Sequence, residues 1–252
     1  MLFDIKEKRI LITGSSGGLG FVFAQALTEA GAKVIINGTN QKKLKNAGQI
    51  LSQKGYQVSS MMFDITNAEE VEKKIAQIEC EQGCIDILIN NAGIQHRTPL
   101  ENFPINDWNK VINVNLNGAF IVGKAVANYM IERKRGKIIN ICSLQSELAR
   151  PTITPYATAK GGLKMLTRGM ATEWAKYNIQ VNGIGPGYFK TDMTRALWEN
   201  KEFDSWLCSR TPANRWGDPQ ELVGALIFLA SQSSSFINGQ IIYVDGGITA
   251  CI

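Results

Sequence analysis

The amino-acid sequence predicts a single-domain α/β fold, a doubly wound sheet of parallel strands with helices on both faces. Short runs rich in Ile and Val alternate along the chain with longer segments of helical periodicity. Strands that are apolar on both faces and separated by helices are typical of a parallel sheet covered on each side. A chain of 252 residues, of which 44% are hydrophobic, is long enough to bury one such core. Because no repeat or linker interrupts the pattern, we expect one globular domain over residues 1–252.

Seven apolar runs supply the predicted strands of this sheet. In chain order they are residues 9–12, 33–36, 57–63, 85–89, 137–141, 180–184 and 240–244. Helical periodicity is found at residues 19–30, 68–79, 108–130, 156–177 and 219–230. This alternation predicts strand–helix–strand units in which each apolar helix face covers the sheet.

An irregular segment is predicted after the sixth strand, over residues 185–215. It contains two tryptophans, Trp198 and Trp206, and several turn residues. Ligands of doubly wound sheets bind beyond the carboxyl ends of the strands, where loops carry the binding residues. We therefore expect residues 185–215 to form a substrate lid.

Composition and charge argue against several classes of function. The net charge of +5 is spread along the chain and forms no basic stripe, so a nucleic-acid partner is not expected. No apolar stretch reaches signal-peptide or membrane-spanning length, so we expect a cytoplasmic protein without a membrane partner. Five cysteines without framework spacing fit a reducing compartment. With His96 as the single histidine, and with Cys80 and Cys84 followed by no second pair, no metal site is expected.

A glycine-rich segment, residues 13–20, joins the first predicted strand to the first predicted helix. Its glycines, Gly14, Gly18 and Gly20, permit a tight turn and a close approach of the backbone to a ligand. The helix that follows offers unpaired N–H groups and the positive end of its dipole, which suit a pyrophosphate. The segment is interpreted as a dinucleotide-binding loop, with a plain strand-to-helix turn as the alternative.

A tyrosine and a lysine, Tyr156 and Lys160, lie four residues apart at the start of a predicted helix and therefore share one face. Thr154 is expected to cap this helix, with Pro155 at its first position. A phenol has a pKa of ~10, and a neighbouring ammonium is expected to lower it by about 1–3 pKa units, within reach of general acid/base catalysis. Packing beside a solvated lysine is the alternative interpretation of the same spacing.

The order of these motifs along the whole chain resembles that of the short-chain dehydrogenase/reductase family. The glycine spacing of residues 14–20 is similar to the family's, and residues 90–93 (Asn-Asn-Ala-Gly) close the fourth strand as they do there. Ser143, thirteen residues before Tyr156, has the family's spacing for the serine that hydrogen-bonds the reacting oxygen. The resemblance implies a nicotinamide-dependent oxidoreductase that moves a hydride to or from a carbon bearing oxygen.

The resemblance also implies a Rossmann-type sheet of seven strands in the order 3-2-1-4-5-6-7 and, commonly, a homotetramer. Tyr156 would be the general acid/base, Lys160 its partner, and Asn115 the support of a proton-relay water near the lysine. With Ser143, these residues form the predicted catalytic set. The residues expected to bind the cofactor are Gly14, Ser16, Gly18, Leu19, Gly20, Thr39, Asp64, Ile65, Asn91, Ala92, Gly93, Tyr156, Lys160, Pro186, Gly187 and Thr191.

The choice of cofactor depends on the residues that end the second predicted strand. A carboxylate there hydrogen-bonds the ribose hydroxyls of NAD and repels the 2′-phosphate of NADP, but this chain has Gly38. Positions 17 and 39 lack the arginine that many NADP-using relatives carry. Thr39, Asn40 and either Lys42 or Lys43 could donate to the phosphate instead. NADP(H) is therefore favoured, with NAD(H) as the alternative.

The substrate side of the chain resembles one group within the family, the gluconate 5-dehydrogenases, at residues 140–150, 186–191 and 206–217. This resemblance implies a sugar-acid substrate and the interconversion of D-gluconate and 5-keto-D-gluconate. Polar side chains suit such a molecule, with amide and carboxylate groups for its hydroxyls and an arginine for its carboxylate. A surface ion pair between Glu147 and Arg150 is the alternative for those two residues. The predicted substrate residues are Arg97, Ser143, Gln145, Glu147, Arg150 and Tyr156.

Three other functions fit part of this pattern. A reductase for a 2-keto-3-deoxy sugar acid is the nearest in chemistry. A 3-oxoacyl-carrier-protein reductase would share the fold and the dyad formed by Tyr156 and Lys160. However, the polar residues 145–150 disfavour the apolar channel that such a reductase needs. A non-enzymatic redox sensor is expected to lose Tyr156 and Lys160, and both are present.

Overall fold

Seven parallel strands form one sheet in the computed structural model, which describes residues 2–251 of the chain. Their order is β3-β2-β1-β4-β5-β6-β7, and every neighbouring pair is parallel. The predicted fold class and strand order are confirmed. The strands are β1 (Arg9–Ile12), β2 (Lys33–Gly38), β3 (Val58–Met62), β4 (Ile87–Asn90), β5 (Gly136–Ile141), β6 (Ile179–Pro186) and β7 (Ile241–Val244).

Helices follow the strands and pack on both faces of the sheet. The α-helices of residues 2–251 are α1 (Gly18–Glu29), α2 (Gln41–Gln53), α3 (Ala68–Glu81), α4 (Ile105–Ile112), α5 (Gly118–Glu132), α6 (Thr154–Trp174), α7 (Arg195–Trp198), α8 (Lys201–Arg210) and α9 (Val223–Ala230). The single predicted helix at residues 108–130 is two helices, α4 and α5, joined by a π-helical turn at Asn113–Asn117.

Two apolar layers enclose the sheet, as strands buried on both faces require. On one side, alternate strand residues such as Ile10 and Ile12 pack with apolar residues of α1, α2 and α9. On the other side, Leu11 and its counterparts pack with α3, α5 and α6. The alternation along β1 shows the two-residue period of a strand buried on both sides.

Helix α2 is absent from the predicted elements. Its core face consists of Leu44, Ala47 and Leu51, which are buried at helical spacing. Asn40 caps it, because the Asn40 side chain accepts the Lys43 N–H at 3.0 Å. Most of its other residues are polar, so the apolar periodicity is sparse. The Asn cap was the signal that could have revealed it.

The segment predicted to be irregular, residues 185–215, is largely regular structure, and that expectation is wrong. Strand β6 continues to Pro186, and helices α7 and α8 occupy much of the remainder. Asn200 caps α8 by accepting the Phe203 N–H at 3.0 Å. The turn residues lie between these elements rather than inside them, which is why they suggested a loop.

The start of α6 also differs from the prediction. Ile153 is the N-cap residue, Thr154 is already helical, and no side-chain hydrogen bond caps the helix. Pro155 therefore lies one position further into the first turn than expected, where its missing N–H still costs nothing.

A buried lysine, Lys137, lies in β5. It is 7% exposed, and its Nζ donates to Ser234 Oγ at 3.0 Å. Burial lowers the pKa of Lys137 from 10.5 to about 8. Because the folded state disfavours the cation, Lys137 reduces stability below about pH 8, and this penalty disappears as the pH rises towards 10.5.

Lys137→Met is expected to raise the free energy of unfolding by about 1–3 kcal/mol near neutral pH, since it removes a desolvated cation and loses one hydrogen bond. Ser234 keeps a partner, because its Oγ also donates to the Leu229 carbonyl at 2.9 Å. Urea unfolding at about pH 7 and about pH 10 should show the gain shrinking at the higher pH. The control is Lys45→Met, an exposed site on α2. An equal gain at both pH values would contradict the ionisation argument.

Candidate active site

An open cleft of about 650 Å³ lies at the carboxyl edge of the sheet. Doubly wound sheets bind their ligands at this edge. Its floor is formed by residues that follow β1, β2, β4, β5 and β6, and one wall carries the N-terminal residues of α6. The fold therefore brings distant parts of the chain to a single site.

The glycine-rich loop closely contacts the end of β4. Gly14 has φ +61°, and a Cβ there would lie 2.6 Å from the Ala92 Cα. A Cβ at Gly20 would lie 2.5 Å from both the Gly14 carbonyl oxygen and the Asn91 Nδ2. Neither position can accept a side chain without displacing backbone, so both glycines are required by packing.

Hydrogen bonds hold this loop in place. The Asn91 side chain donates to the carbonyl oxygens of Thr13 at 2.9 Å and Gly14 at 3.0 Å. The Thr13 hydroxyl accepts the N–H groups of Asn91 and Ala92 at 3.0 and 3.1 Å. From the other side, the buried Asn37 side chain accepts the Gly14 N–H at 3.2 Å. The loop is thus fixed between β2 and β4.

A buried polar chain sets the position of α6 against the sheet. Asn90 of β4 donates to the Asn140 side chain at 2.9 Å, and Asn140 of β5 donates to the Thr167 hydroxyl at 2.9 Å. Thr167 lies on the face of α6 that also carries Lys160 and Leu163, all buried. Buried hydrogen bonds of this kind restrict how a helix can slide or rotate, so this chain of side chains orients Tyr156 and Lys160.

Tyr156 and Lys160 meet at the cleft, as helix spacing predicts. Lys160 is 4% exposed, its Nζ donates to the Ile141 carbonyl at 2.6 Å, and the Nζ lies 5.7 Å from the centre of the Tyr156 ring. Burial lowers the pKa of Lys160 to about 8. The ammonium is therefore held close to the phenol by the end of β5.

The expected lowering of the tyrosine pKa is wrong for this structure. Burial raises the pKa of Tyr156 to about 12, and a hydrogen bond with Ser143 acts in the opposite direction with a smaller effect. Desolvation disfavours the phenolate and is the largest effect on this group. Tyr156 is thus a phenol near neutral pH.

Ser143 follows β5 and also lines the cleft. It is 7% exposed and is the N-cap residue of a short 3-10 turn, where its Oγ accepts the Gln145 N–H at 3.1 Å. The cap fixes the hydroxyl beside Tyr156, where it can donate to an oxygen of a bound molecule.

Asn115 is buried in the π-helical turn and contacts the loop after β4. Its side chain accepts the Ile94 N–H at 2.7 Å and donates to the Ile94 carbonyl at 2.8 Å. Both backbone groups of Ile94 are thereby satisfied, and the loop after residues 90–93 is anchored. The proton-relay role of Asn115 stays a prediction.

The predicted cofactor residues all line this cleft except Gly20, which packs behind the loop. Gly17, Gly18 and Leu19 present the N-terminus of α1 to the cleft, and a Cβ at Gly17 or Gly18 would meet nothing within 4 Å. The open helix terminus fits a pyrophosphate, and the carboxyl edge of the sheet is where doubly wound folds bind dinucleotides. Further lining residues that the sequence did not single out include Phe63, Lys110, Val114, Met193 and Thr194.

Two of the predicted substrate residues, Arg97 and Arg150, are near enough for their charges to interact, although neither lines the 650 Å³ cleft. Burial lowers the pKa of Arg97, and the positive charge of Arg150 acts in the same direction. Burial raises the pKa of Tyr188, and both guanidinium charges act in the opposite direction. The charge of Tyr188 in turn raises the pKa of Tyr156, so this group adjoins Tyr156. Tyr188 has no predicted role, and only the fold shows its place.

Buried polar atoms in this group lack partners among the described residues. Gln145 Oε1 and Arg150 Nε are both buried without a hydrogen bond. Buried polar groups are nearly always paired, and these two atoms are exceptions. The guanidinium of Arg150 also lies 5.2 Å from the centre of the Phe203 ring of α8.

Glu147 is placed differently from the other predicted substrate residues. Its Oε1 accepts hydrogen bonds from the Lys164 ammonium and, at 2.6 Å, from the Tyr243 hydroxyl. The expected alternative, a pair with Arg150, is not what the structure shows. These bonds lower the pKa of Glu147 and direct its carboxylate towards α6 and β7.

No group of three or more His, Cys, Asp or Glu side chains among residues 2–251 is arranged to hold a metal ion. Cys80 and Cys84 are free, exposed thiols. In the same part of the chain, no helix has the length and apolar character needed to cross a bilayer.

The chain belongs to the short-chain dehydrogenase/reductase family of oxidoreductases. The family model that matches residues 14–249 is described as enoyl-(acyl carrier protein) reductase. The chain is 53% identical to the 5-keto-D-gluconate 5-reductase of Escherichia coli (strain K12), over 100% of this chain and 99% of that protein. It is 51% identical to a 2-dehydro-3-deoxy-D-gluconate 5-dehydrogenase of Formosa agariphila, over 100% of this chain and 96% of that protein.

A solved structure is also very similar to the fold described above. It is a gluconate 5-dehydrogenase of Burkholderia cenocepacia J2315 in complex with NADP and tartrate. The TM-score is 0.97 and the identity 50%, covering 100% of this chain and 98% of that one.

Proposed function

We propose that this protein interconverts D-gluconate and 5-keto-D-gluconate, using NADP(H) as its hydride carrier. The names of similar proteins support the reaction, and the bound NADP of the Burkholderia cenocepacia enzyme supports the cofactor. The absence of a carboxylate at Gly38 agrees with NADP(H), because nothing there repels a 2′-phosphate.

The observation that carries the proposal is the pair of guanidinium groups, Arg97 and Arg150, whose charges both act on Tyr188, the neighbour of Tyr156. Neither arginine forms an ion pair within residues 2–251. Two neighbouring cations without a carboxylate favour an anionic ligand, and guanidinium groups bind carboxylates through two parallel hydrogen bonds. The tartrate of the Burkholderia cenocepacia complex is likewise a hydroxy acid.

Anchoring the carboxylate would set the position of reaction. A six-carbon acid held at its carboxylate by Arg97 and Arg150 would extend towards Ser143 and Tyr156, so that a carbon far from the acid group reaches the dyad. Hydroxyl groups between the two ends would meet Gln145 and Tyr188, which are polar and partly or wholly buried. Fixing both ends of a flexible substrate is how an enzyme selects one carbon among several similar ones.

The proton chemistry follows from the geometry of the dyad. In reduction, Ser143 would donate a hydrogen bond to the carbonyl oxygen and Tyr156 would transfer its phenolic proton to that oxygen. The reduced nicotinamide supplies the hydride. The Lys160 ammonium would stabilise the phenolate that results, since its Nζ lies 5.7 Å from the centre of the ring. In oxidation the same phenolate would accept the hydroxyl proton.

The rate of reduction is expected to fall as the pH rises through about 8, the pKa of Lys160. Tyr156 keeps its proton up to about pH 12, so loss of the lysine charge and not of the phenolic proton causes the fall. The kcat/KM for ketone reduction, measured from about pH 6 to 10, should be level at first and then decline. In Lys160→Met it should be low and level throughout. The same inflection in that variant would assign it to another group.

A substrate panel tests the proposed reaction. We expect NADPH-dependent reduction of 5-keto-D-gluconate and NADP⁺-dependent oxidation of D-gluconate. The second candidate is 2-dehydro-3-deoxy-D-gluconate, favoured by the name of the Formosa agariphila relative and also a sugar acid. A kcat/KM at least about tenfold higher for this compound would replace the first candidate. An acetoacetyl thioester serves as the control for the acyl-carrier-protein reductases, and turnover of it alone would refute both sugar acids.

We further propose that residues 185–215 act as the substrate lid. A small apolar cluster supports this, in which Leu207 of the segment and the adjoining Trp216 pack with Leu144, the residue after Ser143. The contact between Arg150 and Phe203 joins the same segment to the arginine pair. Limited proteolysis should show slower cleavage of this segment when 5-keto-D-gluconate and NADP⁺ are both present, and unchanged cleavage would contradict the lid.

A cytoplasmic homotetramer is the assembly that we propose. Large apolar side chains are exposed on adjoining helices, namely Ile105 (69%) on α4, Phe120 (47%) on α5 and Met165 (61%) on α6. Such residues on one face indicate a surface that another subunit covers. Light scattering during size-exclusion chromatography should give an assembly with four times the 27.7 kDa chain mass. Phe120→Glu should lower the mass of the assembly. A monomeric wild type would contradict the assembly.

A further inference from the structure

Lys43 is the lysine that the structure places at the end of the cleft formed by Gly38, Thr39 and Asn40. The neighbouring lysines of α2, Lys42 and Lys45, do not line the cleft. The position of Lys43 follows from packing, because the next residue, Leu44, is 4% exposed and fixes the first turn of α2 against the core. The sequence left Lys42 and Lys43 as equal alternatives, and the fold separates them.

The charge of Lys43 is available to a ligand. It forms no ion pair with any of residues 2–251. Asp64 is the one acidic residue among those lining the cleft, and its Oδ1 already accepts the N–H and the hydroxyl of Thr66, both at 2.8 Å. This end of the cleft is therefore a place for an anion.

Other donors lie around the same point. The Ser16 hydroxyl is adjacent to Gly38, since a Cβ built on that glycine would lie 3.0 Å from Ser16 Oγ. The first N–H groups of α2 follow Asn40, and the positive end of this helix dipole favours negative charge. A dianionic phosphate here would meet a hydroxyl, backbone donors and one flexible ammonium.

We propose that Lys43 recognises the 2′-phosphate of NADP(H) and determines the preference for NADP(H) over NAD(H). The proposal rests on the proposed function, in which NADP(H) is the cofactor. It explains how NADP(H) can be bound without arginine at positions 17 and 39, where this chain has Gly17 and Thr39. The positive charge comes from the first turn of α2 instead. Lys110 of α4 and Lys160 of α6 also line the cleft. Lys160 belongs to the dyad, and Lys110 lies on a helix that packs against α6 rather than α2.

Nucleotide binding without nicotinamide tests this directly. Adenosine 2′,5′-bisphosphate carries the phosphate that Lys43 would bind, and 5′-AMP lacks it. Calorimetric titration of both nucleotides at low salt should show that Lys43→Ala weakens binding of the bisphosphate by about 5- to 20-fold. Binding of 5′-AMP should weaken by less than about twofold. Lys42→Ala, one residue away on the same helix, and Lys110→Ala should not change the preference.

Each outcome has a separate meaning. Equal affinity of the wild type for both nucleotides would refute the NADP(H) preference and the role of Lys43 together. A wild-type preference that Lys43→Ala keeps, or that Lys110→Ala loses instead, would overturn the assignment to Lys43 alone. If Lys43→Ala lost affinity for both nucleotides through misfolding, Lys43→Arg would be the deciding variant. Retained preference of this variant for the bisphosphate would support a cation at position 43, and loss of that preference would oppose it. The reduction of 5-keto-D-gluconate is measured independently of these titrations.

Discussion

Tyr156→Phe is expected to lower turnover by about 10²-fold or more, because it removes the transferable proton and leaves the ring in place. The ring packs at the cleft beside Lys160, so folding and nucleotide affinity should stay near those of the wild type. Stopped-flow measurement of hydride transfer, with 5-keto-D-gluconate and NADPH, separates the chemical step from product release.

Tyr177→Phe is the matched control for this experiment. Tyr177 lies in the 3-10 turn beyond the C-terminal end of α6, away from the cleft, and should keep wild-type turnover. Retention of more than about a tenth of wild-type turnover by Tyr156→Phe, with chemistry limiting, would show that another group is the principal acid/base.

Removal of the carboxylate-binding arginine should lower kcat/KM for 5-keto-D-gluconate by about 10- to 150-fold, the effect of losing an ionic hydrogen bond worth roughly 1.5–3 kcal/mol. Both Arg97→Ala and Arg150→Ala are tested, because both guanidinium groups act on Tyr188. A neutral ketose of the same length should be a poor substrate for the wild type and lose little more in either variant. Cofactor affinity should hardly change.

The control variant is Arg135→Ala. Arg135 is exposed and directly precedes β5, at the amino edge of the sheet and therefore on the side opposite the cleft. If neutral ketoses were reduced as well as 5-keto-D-gluconate, or if neither arginine variant discriminated between charged and neutral substrates, the carboxylate anchor would be refuted. The proposed substrate would then lose its main structural support.

The strands were predictable because the apolar runs of a parallel sheet are buried on both faces and stand out in the sequence. The run at Arg9–Ile12 coincides with β1, and the other six overlap their strands. Helix α2 and the helices of residues 185–215 escaped prediction for the opposite reason. They bury only a narrow stripe, as the three buried residues of α2 show, so their periodicity is faint.

Parts of the site depend on contacts between residues far apart in the chain. The approach of Arg97 to Arg150 and the hydrogen bond between Glu147 and Tyr243 join segments that no local pattern relates. The error over the pKa of Tyr156 has the same origin, since desolvation depends on everything packed around the phenol. Which of Lys42 and Lys43 lines the cleft likewise depends on which residues of α2 are buried against the core.

By itself the sequence determined the strand–helix alternation, the glycine-rich turn and the shared face of Tyr156 and Lys160. These features are local, because strand period, turn chemistry and helix geometry depend on residues within a few positions of one another. Only the tertiary structure decided which polar side chains meet at the substrate side, which lysine reaches the cofactor cleft and which way burial moves each pKa. Those properties arise from distance and desolvation, which exist only once remote segments have packed together.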